Sequence, residues 1–460
     1  MRLRLYALSA LVVVPVAAAC GGGAVTHSSS GAGGGTGGTG GASVTVTTSS
    51  TATTSSSSSS SSSGGLDGGA VSTTYPAFPP DVPQVETAGG VVLASPTLVP
   101  VFFAGEDATI QASLTDFLAK VGATTYWADV TAEYGVGPAV SATPVVLTET
   151  APATIDDSAI QTWLTGKLDG NDPAWPAADA NTLYVLHYPA GTTVTLDGNT
   201  SCTDFGGYHN SAALDAAHGA VPAVYAVVPR CADFGGLKGI NAVTGAESHE
   251  LVEACTDPTP REPPLVQGYV QPDEAHLYWY YVVGGGEVGD MCAQFPDVFT
   301  RFPELAYEVQ RTWSNASAAA GHDPCVPELP GEVYATAMPV MTDDLSFNFD
   351  GATVPMRGVK IPMGQSKTID IDLSSEGDTG GPFTVEVKDW SQLLTGQPAL
   401  TFSLDNDSGQ NGEILHLTLT PVKAGTFSDP MVLWPFDAEA FVVIAHNGSQ
   451  QTWQIGLVGN

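Results

Sequence analysis

From Gly21 to Thr74 the chain is almost wholly Gly, Ser, Thr and Ala, with nine consecutive serines at Ser55 to Ser63 and Asp67 as the only formal charge. A segment of this composition cannot bury enough apolar surface to offset the entropy of ordering it. Residues 21–75 therefore read as a flexible tether whose reach grows roughly as 5–6 Å times the square root of its length. Folding falls to the residues beyond it, a stretch longer than one hydrophobic core usually covers and long enough for two domains.

Ahead of the tether, Arg2 and Arg4 precede an apolar run from Leu8 to Val16, and Ala17-Ala18-Ala19 leads into Cys20. This is the layout of an export leader over residues 1–20, and its apolar run is too short to span a bilayer. Small residues before a cysteine resemble the lipobox of bacterial lipoproteins, in which Cys20 is acylated and becomes the mature N-terminus. Simple cleavage, with Cys20 a bystander, is the alternative. The expected location is thus outside the cytosol, lipid-anchored to a bacterial cell envelope, with membrane contact through the anchor alone. Lys and Arg number 14 against 48 Asp and Glu, a formal charge of −34. A surface this acidic repels phosphate backbones and excludes nucleic acid as a partner.

Beyond the tether the apolar pattern changes period twice. Thr97 to Phe103 reads as a strand, followed by helical spacing of Ile110, Leu114, Phe117, Leu118 and Val121. A second amphipathic helix spans Ser158 to Leu168, and buried strands run over Thr182 to Tyr188 and Val221 to Val228. These are the parts of a mixed α/β domain over residues 76–330. After Pro330 the period becomes two: Ile369, Ile371 and Leu373, then Phe383, Val385 and Val387, then Leu415, Leu417 and Leu419 alternate with polar residues, with turns at Gly380-Gly381 and Asn411-Gly412. Antiparallel strands with one wet face, in an immunoglobulin-like sandwich, are expected over 335–460.

One stretch carries chemistry. In Ser248-His249-Glu250-Leu251-Val252-Glu253, ahead of the helix-stopping Pro258, His249 and Glu253 stand four residues apart on one helical face and can share a metal ion. Glu250 occupies the place that H-E-x-x-H metalloproteases give to the general base, although Glu253 replaces the second histidine. An acidic helix start favoured by the dipole is the plainer account. Downstream, Glu287 and Asp290 are three residues apart, so that one can ligate and the other can orient a ligand from behind. His249, Glu253 and Glu287 make a three-ligand zinc set with one position open. Upstream, His209 sits in a glycine-containing loop beside Cys202, either facing the same cleft or bonding its own loop.

The ordered series Cys202, Gly207-Tyr208-His209, Tyr225-Ala226-Val227-Val228-Pro229-Arg230-Cys231, Ser248 to Glu253 with Thr256-Asp257-Pro258, Glu287-Val288-Gly289-Asp290-Met291-Cys292, Val309 to Asn315 and Cys325 resembles the EXORDIUM or phosphate-induced protein family and its bacterial relatives, over roughly residues 95–328. The family's plant members are secreted cell-wall proteins without an agreed enzymatic mechanism. The resemblance supports a site at His249, Glu250, Glu253, Glu287 and Asp290, which match the family's pattern position by position, and the His-Glu-x-x-Glu motif makes a zincin-like domain the expectation. The resemblance also implies disulfides Cys202 to Cys231 and Cys292 to Cys325, with Cys255 unpaired where plant members tend to have another residue.

Three functions are compatible with these residues. A zinc metallopeptidase has zinc on His249, Glu253 and Glu287, Glu250 as base and then acid, Asp290 behind the ligands, and His209 or a tyrosine stabilising the oxyanion. A non-enzymatic adhesion protein uses a structural or degenerate site and binds polysaccharide or protein. A calcium-stabilised protein suits the carboxylates but not the histidine. The expected partner is an extracellular protein, peptide or polysaccharide.

Overall fold

The computed structural model describes residues 10–12, 69–169, 172–214, 221–260, 265–349, 352–422 and 438–459. Apart from Ala10–Val12, which pairs antiparallel with Phe205–Ala212, the leader, Cys20 and the tether up to Gly68 lie outside the described residues. The chain is rich in β-strand, with helices concentrated in its first half. Among the described residues no helix is long and apolar enough to cross a membrane.

The first half is organised on a mixed sheet. Strand β1 (Thr97–Phe102) is followed by helices α1 (Ala108–Val121) and α2 (Asp157–Asp169), then by strands β2 (Thr182–Tyr188), β3 (Phe205–Ala212) and β4 (Ala223–Pro229), and by the long helix α3 (Ile240–Thr256). Spatially the order is β3-β4-β2-β1, with β4, β2 and β1 parallel and β3 antiparallel at one side. Asp107 caps α1 by accepting from the backbone N–H groups of Thr109 and Ile110, as an aspartate at that position commonly does.

Strand alternation sends side chains to opposite faces. Val99, Val101, Tyr184, Leu186, Tyr225 and Val227 pack with Ile160 and Leu164 of α2. Leu98, Phe102, Leu183, Val185, Val224 and Ala226 pack with Phe117 of α1 and Leu251 and Val252 of α3. Tyr208 belongs to the α2 face, where its hydroxyl, that of Tyr225 and the Asn210 amide all donate to Asp157. His209, one residue on, therefore faces α3.

Residues 335–459 form two sheets packed face to face, one of four strands and one of six. Ile369, Ile371, Leu373, Leu415, Leu417 and Leu419 meet Phe383, Phe441 and Val443 in the core between them. The strand Ala438–Asn447 is apolar on both faces. Phe441, Val443 and Ala445 enter the core between the sheets, while Ala440, Val442 and Ile444 join the core of the first half. Phe295 and Trp453 meet edge-on across that seam at 5.8 Å. The six-stranded sheet is thus a wall shared by both halves, whose described residues from Gly69 onward fold as one compact unit.

The end of the expected tether is part of this unit. Asn411 donates to the carbonyls of Ser72 and Thr74 and accepts from the N–H groups of Ala77 and Ser375, so the folded chain begins before Tyr75. The strap continues past Asp81 to a strand at Val85–Thr87 that pairs with Tyr269–Pro272. Asp81 lies 3.6 Å from His276 Nε2, and Asp273 lies 3.0 Å from His276 Nδ1. Burial opposes the His276 charge, but the hydrogen bonds to Asp273 and Asp81 overcome it and raise the pKa from 6.5 to about 9. A histidine raised in the folded state contributes stability that is whole below its unfolded pKa and lost as pH rises through the folded one. The unfolding free-energy difference between the wild type and His276→Gln is therefore expected to be constant below about pH 6.5 and to shrink towards pH 9 and beyond. Denaturant titrations at pH 6, 8 and 9.5 check it, and a difference that does not change with pH rules it out.

The structure bonds Cys202 to Cys231 and Cys292 to Cys325 and leaves Cys255 a buried thiol. Burial pushes the pKa of that thiol up, which keeps it protonated and inert. Two disulfides belong to a protein of an oxidising compartment.

Candidate metal centre

Helix α3 is buried on all sides from Ala242 to Thr256, and it ends where Pro258 forbids another turn. A helix hidden all round cannot solvate its polar residues, yet Glu247, Ser248, His249, Glu250 and Glu253 are each no more than 1% exposed. Their partners come from β3, from the helix end and from the loop 284–290. Ser248 Oγ donates to the Gly245 carbonyl and accepts from the N–H of Gln310, whose amide in turn donates to the Gly289 carbonyl. His187, reached from β2, sets its Nε2 2.9 Å from Glu247 Oε1 and stacks on Phe102.

Two glycines let the elements close on one another. A Cβ on Gly289 meets His249 Nδ1 at 2.6 Å and Glu253 Oε1 at 2.7 Å; one on Gly207 meets Glu250 Cγ at 2.8 Å. With no side chain there, the N–H groups of Gly289 and Asp290 both donate to Glu253 Oε1, at 3.1 and 3.0 Å. That fixes the carboxylate and turns its Oε2 towards both histidines, 3.0 Å from His249 Nε2 and 3.8 Å from His209 Nδ1.

The residues singled out in the sequence gather around this oxygen, with one exchange of place. The ligand atoms that converge with His249 and Glu253 belong to Asp290, whose Oδ1 is 3.8 Å from His249 Nε2. Glu287, expected as the third ligand, stands instead 3.5 Å from His209 Nε2. Glu250 lies between the histidines, with Oε2 3.3 Å from His209 Nδ1 and Oε1 3.9 Å from His249 Nε2. His209, expected in a loop, is instead borne by strand β3, where it pairs with Ala226, and its Nε2 is 3.1 Å from the carbonyl of Asp257. Asp257 carries no role in the sequence reading; the four-residue spacing that links 249 to 253 continues to 257 and points to it. Nearer the surface, His322 has Glu328 and Glu376 at 3.6 and 3.3 Å.

Electrostatically this is an anionic hole. Among the described residues, the cationic groups within 4.0 Å of Glu250, Glu253, Glu287 and Asp290 are the two imidazoles. Burial, reinforced by Glu287 and Glu250, pushes the Glu253 carboxyl well above the ordinary range. Burial does the same to Asp257, reinforced by Glu287, and to Asp290, reinforced by Glu253. For His209 burial opposes the charge, but Glu287 and Glu250 outweigh it and hold the ring well above its usual pKa; both ring nitrogens face oxygen acceptors.

The donor atoms fit a cation. His249 Nε2, Glu250 Oε1 and both Glu287 oxygens are buried without a hydrogen bond, a costly state for polar groups in a native fold. Ligands about 2.1 Å from a tetrahedral ion stand roughly 3.4 Å from each other, and the His249, Glu253 and Asp290 atoms lie at 3.0 and 3.8 Å. Where α3 ends, Pro258 and Thr259 join Val92, Val224 and Val266 around an apolar cavity of about 610 Å³.

No family profile matches the chain, and no curated protein matches it. Among solved structures it is similar to domains 4 and 5 of the S-layer protein SbsC, at 16% identity over 26% of this chain and 54% of that one, with a TM-score of 0.15. The match thus spans about half the length of that structure. The titin M4 domain is matched at 12% identity over 28% of this chain and 93% of that one, with a TM-score of 0.15. Scores this low carry no argument about fold or activity.

Proposed function

We propose that this protein is an envelope-anchored, zinc-dependent hydrolase, a metallopeptidase acting on extracellular protein or peptide, built on a zincin-like domain with an immunoglobulin-like sandwich behind it. The observation that carries the reading is the set of buried ligand atoms without hydrogen bonds around His249 and Glu253, on a helix whose His-Glu-x-x-Glu order places a base between two ligands. The EXORDIUM-like series of residues supplies the same set, and Cys20 supplies the anchor.

His249 Nε2, Glu253 Oε2 and Asp290 Oδ1 hold the ion in this reading. Bound there, zinc lowers the pKa of a water and polarises a carbonyl. Glu250, with Oε1 unpaired and 3.9 Å from His249 Nε2, takes the proton of the attacking water and returns it to the leaving amine. His209, with Nδ1 3.3 Å from Glu250 Oε2, fixes that carboxylate and is placed to stabilise developing negative charge. Pro258, the residue after Asp257, lines an apolar groove able to take an apolar side chain of a substrate.

The enclosure of the cluster favours a second reading. Every residue of it is 6% exposed or less, as befits an ion that holds the core together in a protein that binds polysaccharide or protein without catalysis. One experiment separates the two. Peptide-library turnover that is lost in EDTA, restored by zinc but not by calcium, and missing from His249→Ala supports the hydrolase. A protein that binds zinc tightly, loses thermal stability in EDTA and cleaves nothing is the binding module.

A further inference from the structure

We infer that the centre holds two divalent cations, not one, with Glu253 bridging them; this rests on the metal-dependent reading above. The ligand atoms fall into two sets of three, each within 4.8 Å: His249, Glu253 and Asp290 in one, His209, Glu250 and Glu253 in the other. Each set has its own imidazole, and Glu253 is the member they share. In the second set His209 Nδ1 stands 3.3 Å from Glu250 Oε2 and 3.8 Å from Glu253 Oε2. Charge-assisted hydrogen bonds contract to about 2.7–2.9 Å, whereas ligands of one zinc stand roughly 3.4 Å apart. The spacing is that of ligands around an ion, and the ion takes the place of the Nδ1 proton.

Two further observations agree. Glu287 is 1% exposed, neither of its oxygens has a hydrogen bond, and it lies 3.5 Å from the other nitrogen of His209. A carboxylate buried there without a hydrogen bond is stabilised by further positive charge beside His209. Charge gives the same answer. Glu250, Glu253, Asp257, Glu287 and Asp290 bring five carboxylates into one buried cluster without a described Lys or Arg beside it. One divalent ion offsets two of those charges, and two offset four. Paired cations in hydrolases lie about 3.5–4 Å apart and share a bridging carboxylate or water. Glu250 then gives Oε2 to the second ion and keeps Oε1 for the proton of the attacking water.

The test is stoichiometry. The full chain is stripped with EDTA, reloaded with zinc chloride, desalted and assayed by plasma mass spectrometry. Two zinc ions per chain are expected, falling to one in His209→Gln. One per wild-type chain overturns the second ion and leaves the hydrolase reading intact; none overturns both. A measurement that needs no variant uses manganese: electron paramagnetic resonance of the loaded wild type is expected to show a coupled pair, and a spectrum of isolated ions only overturns the bridge.

Discussion

Glu250→Gln is expected to lower kcat/KM on a chelator-sensitive peptide by about 10²–10⁴-fold, the usual worth of a positioned general base. The loss is expected in kcat, because the carboxylate acts on the water and not on the bound peptide. The change keeps the shape of the side chain, so Gly207, which admits Glu250 Cγ where a Cβ stands 2.8 Å away, need not move. The three atoms of the other set, from His249, Glu253 and Asp290, are untouched, and the variant is expected to retain the cation they hold. Full turnover in Glu250→Gln removes it as the base. Loss of turnover together with every cation shows a collapsed site and removes the assignment as well.

The largest expected effect on stability lies at Arg311. It is 1% exposed, its Nε donates to the Pro327 carbonyl at 2.9 Å, and its remaining N–H groups reach the Asp323 carboxylate, the Cys325 carbonyl and, at 3.4 Å, Asp297. Burial pushes the Asp323 carboxyl up to about 6 even with Arg311 beside it. Arg311→Met leaves that acid buried without its counter-ion, and removing one member of a buried pair costs about 3–5 kcal/mol. Without the guanidinium the Asp323 pKa rises further, so the acid is protonated and the penalty relieved as pH falls. The deficit is expected to be full near pH 8 and smaller near pH 5. Urea unfolding at the two values checks both points. A deficit under about 1 kcal/mol, within the range of an exposed ion pair, rules out the account.

The site helix, its ending at Pro258 and the shared face of His249 and Glu253 were legible because they are local: a helix of period 3.6 decides them within two turns. The same holds for the strands Thr97–Phe102 and Thr182–Tyr188 and for helices α1 and α2, as for the alternating strands near residues 370, 385 and 417, but not for Phe205–Ala212, whose glycines and polar residues read as a loop. The strand Ala438–Asn447 offered no alternation, because it is buried on both faces between the two halves. The role of Asn411 in fixing Ser72 and Thr74 was likewise invisible, since partners more than 330 residues apart leave no local pattern.

The sequence by itself determined the residue types of the centre and the strong net acidity of the chain. Tertiary structure alone decided which carboxylate meets which histidine. His209 reaches α3 because strand parity turns it away from Tyr208, and Asp290 rather than Glu287 meets His249 because Gly289 lets the loop approach until two backbone amides clasp Glu253. Spacing along a chain fixes a shared face only within one element; between elements, the register of the sheet and the closest approach of a backbone fix it.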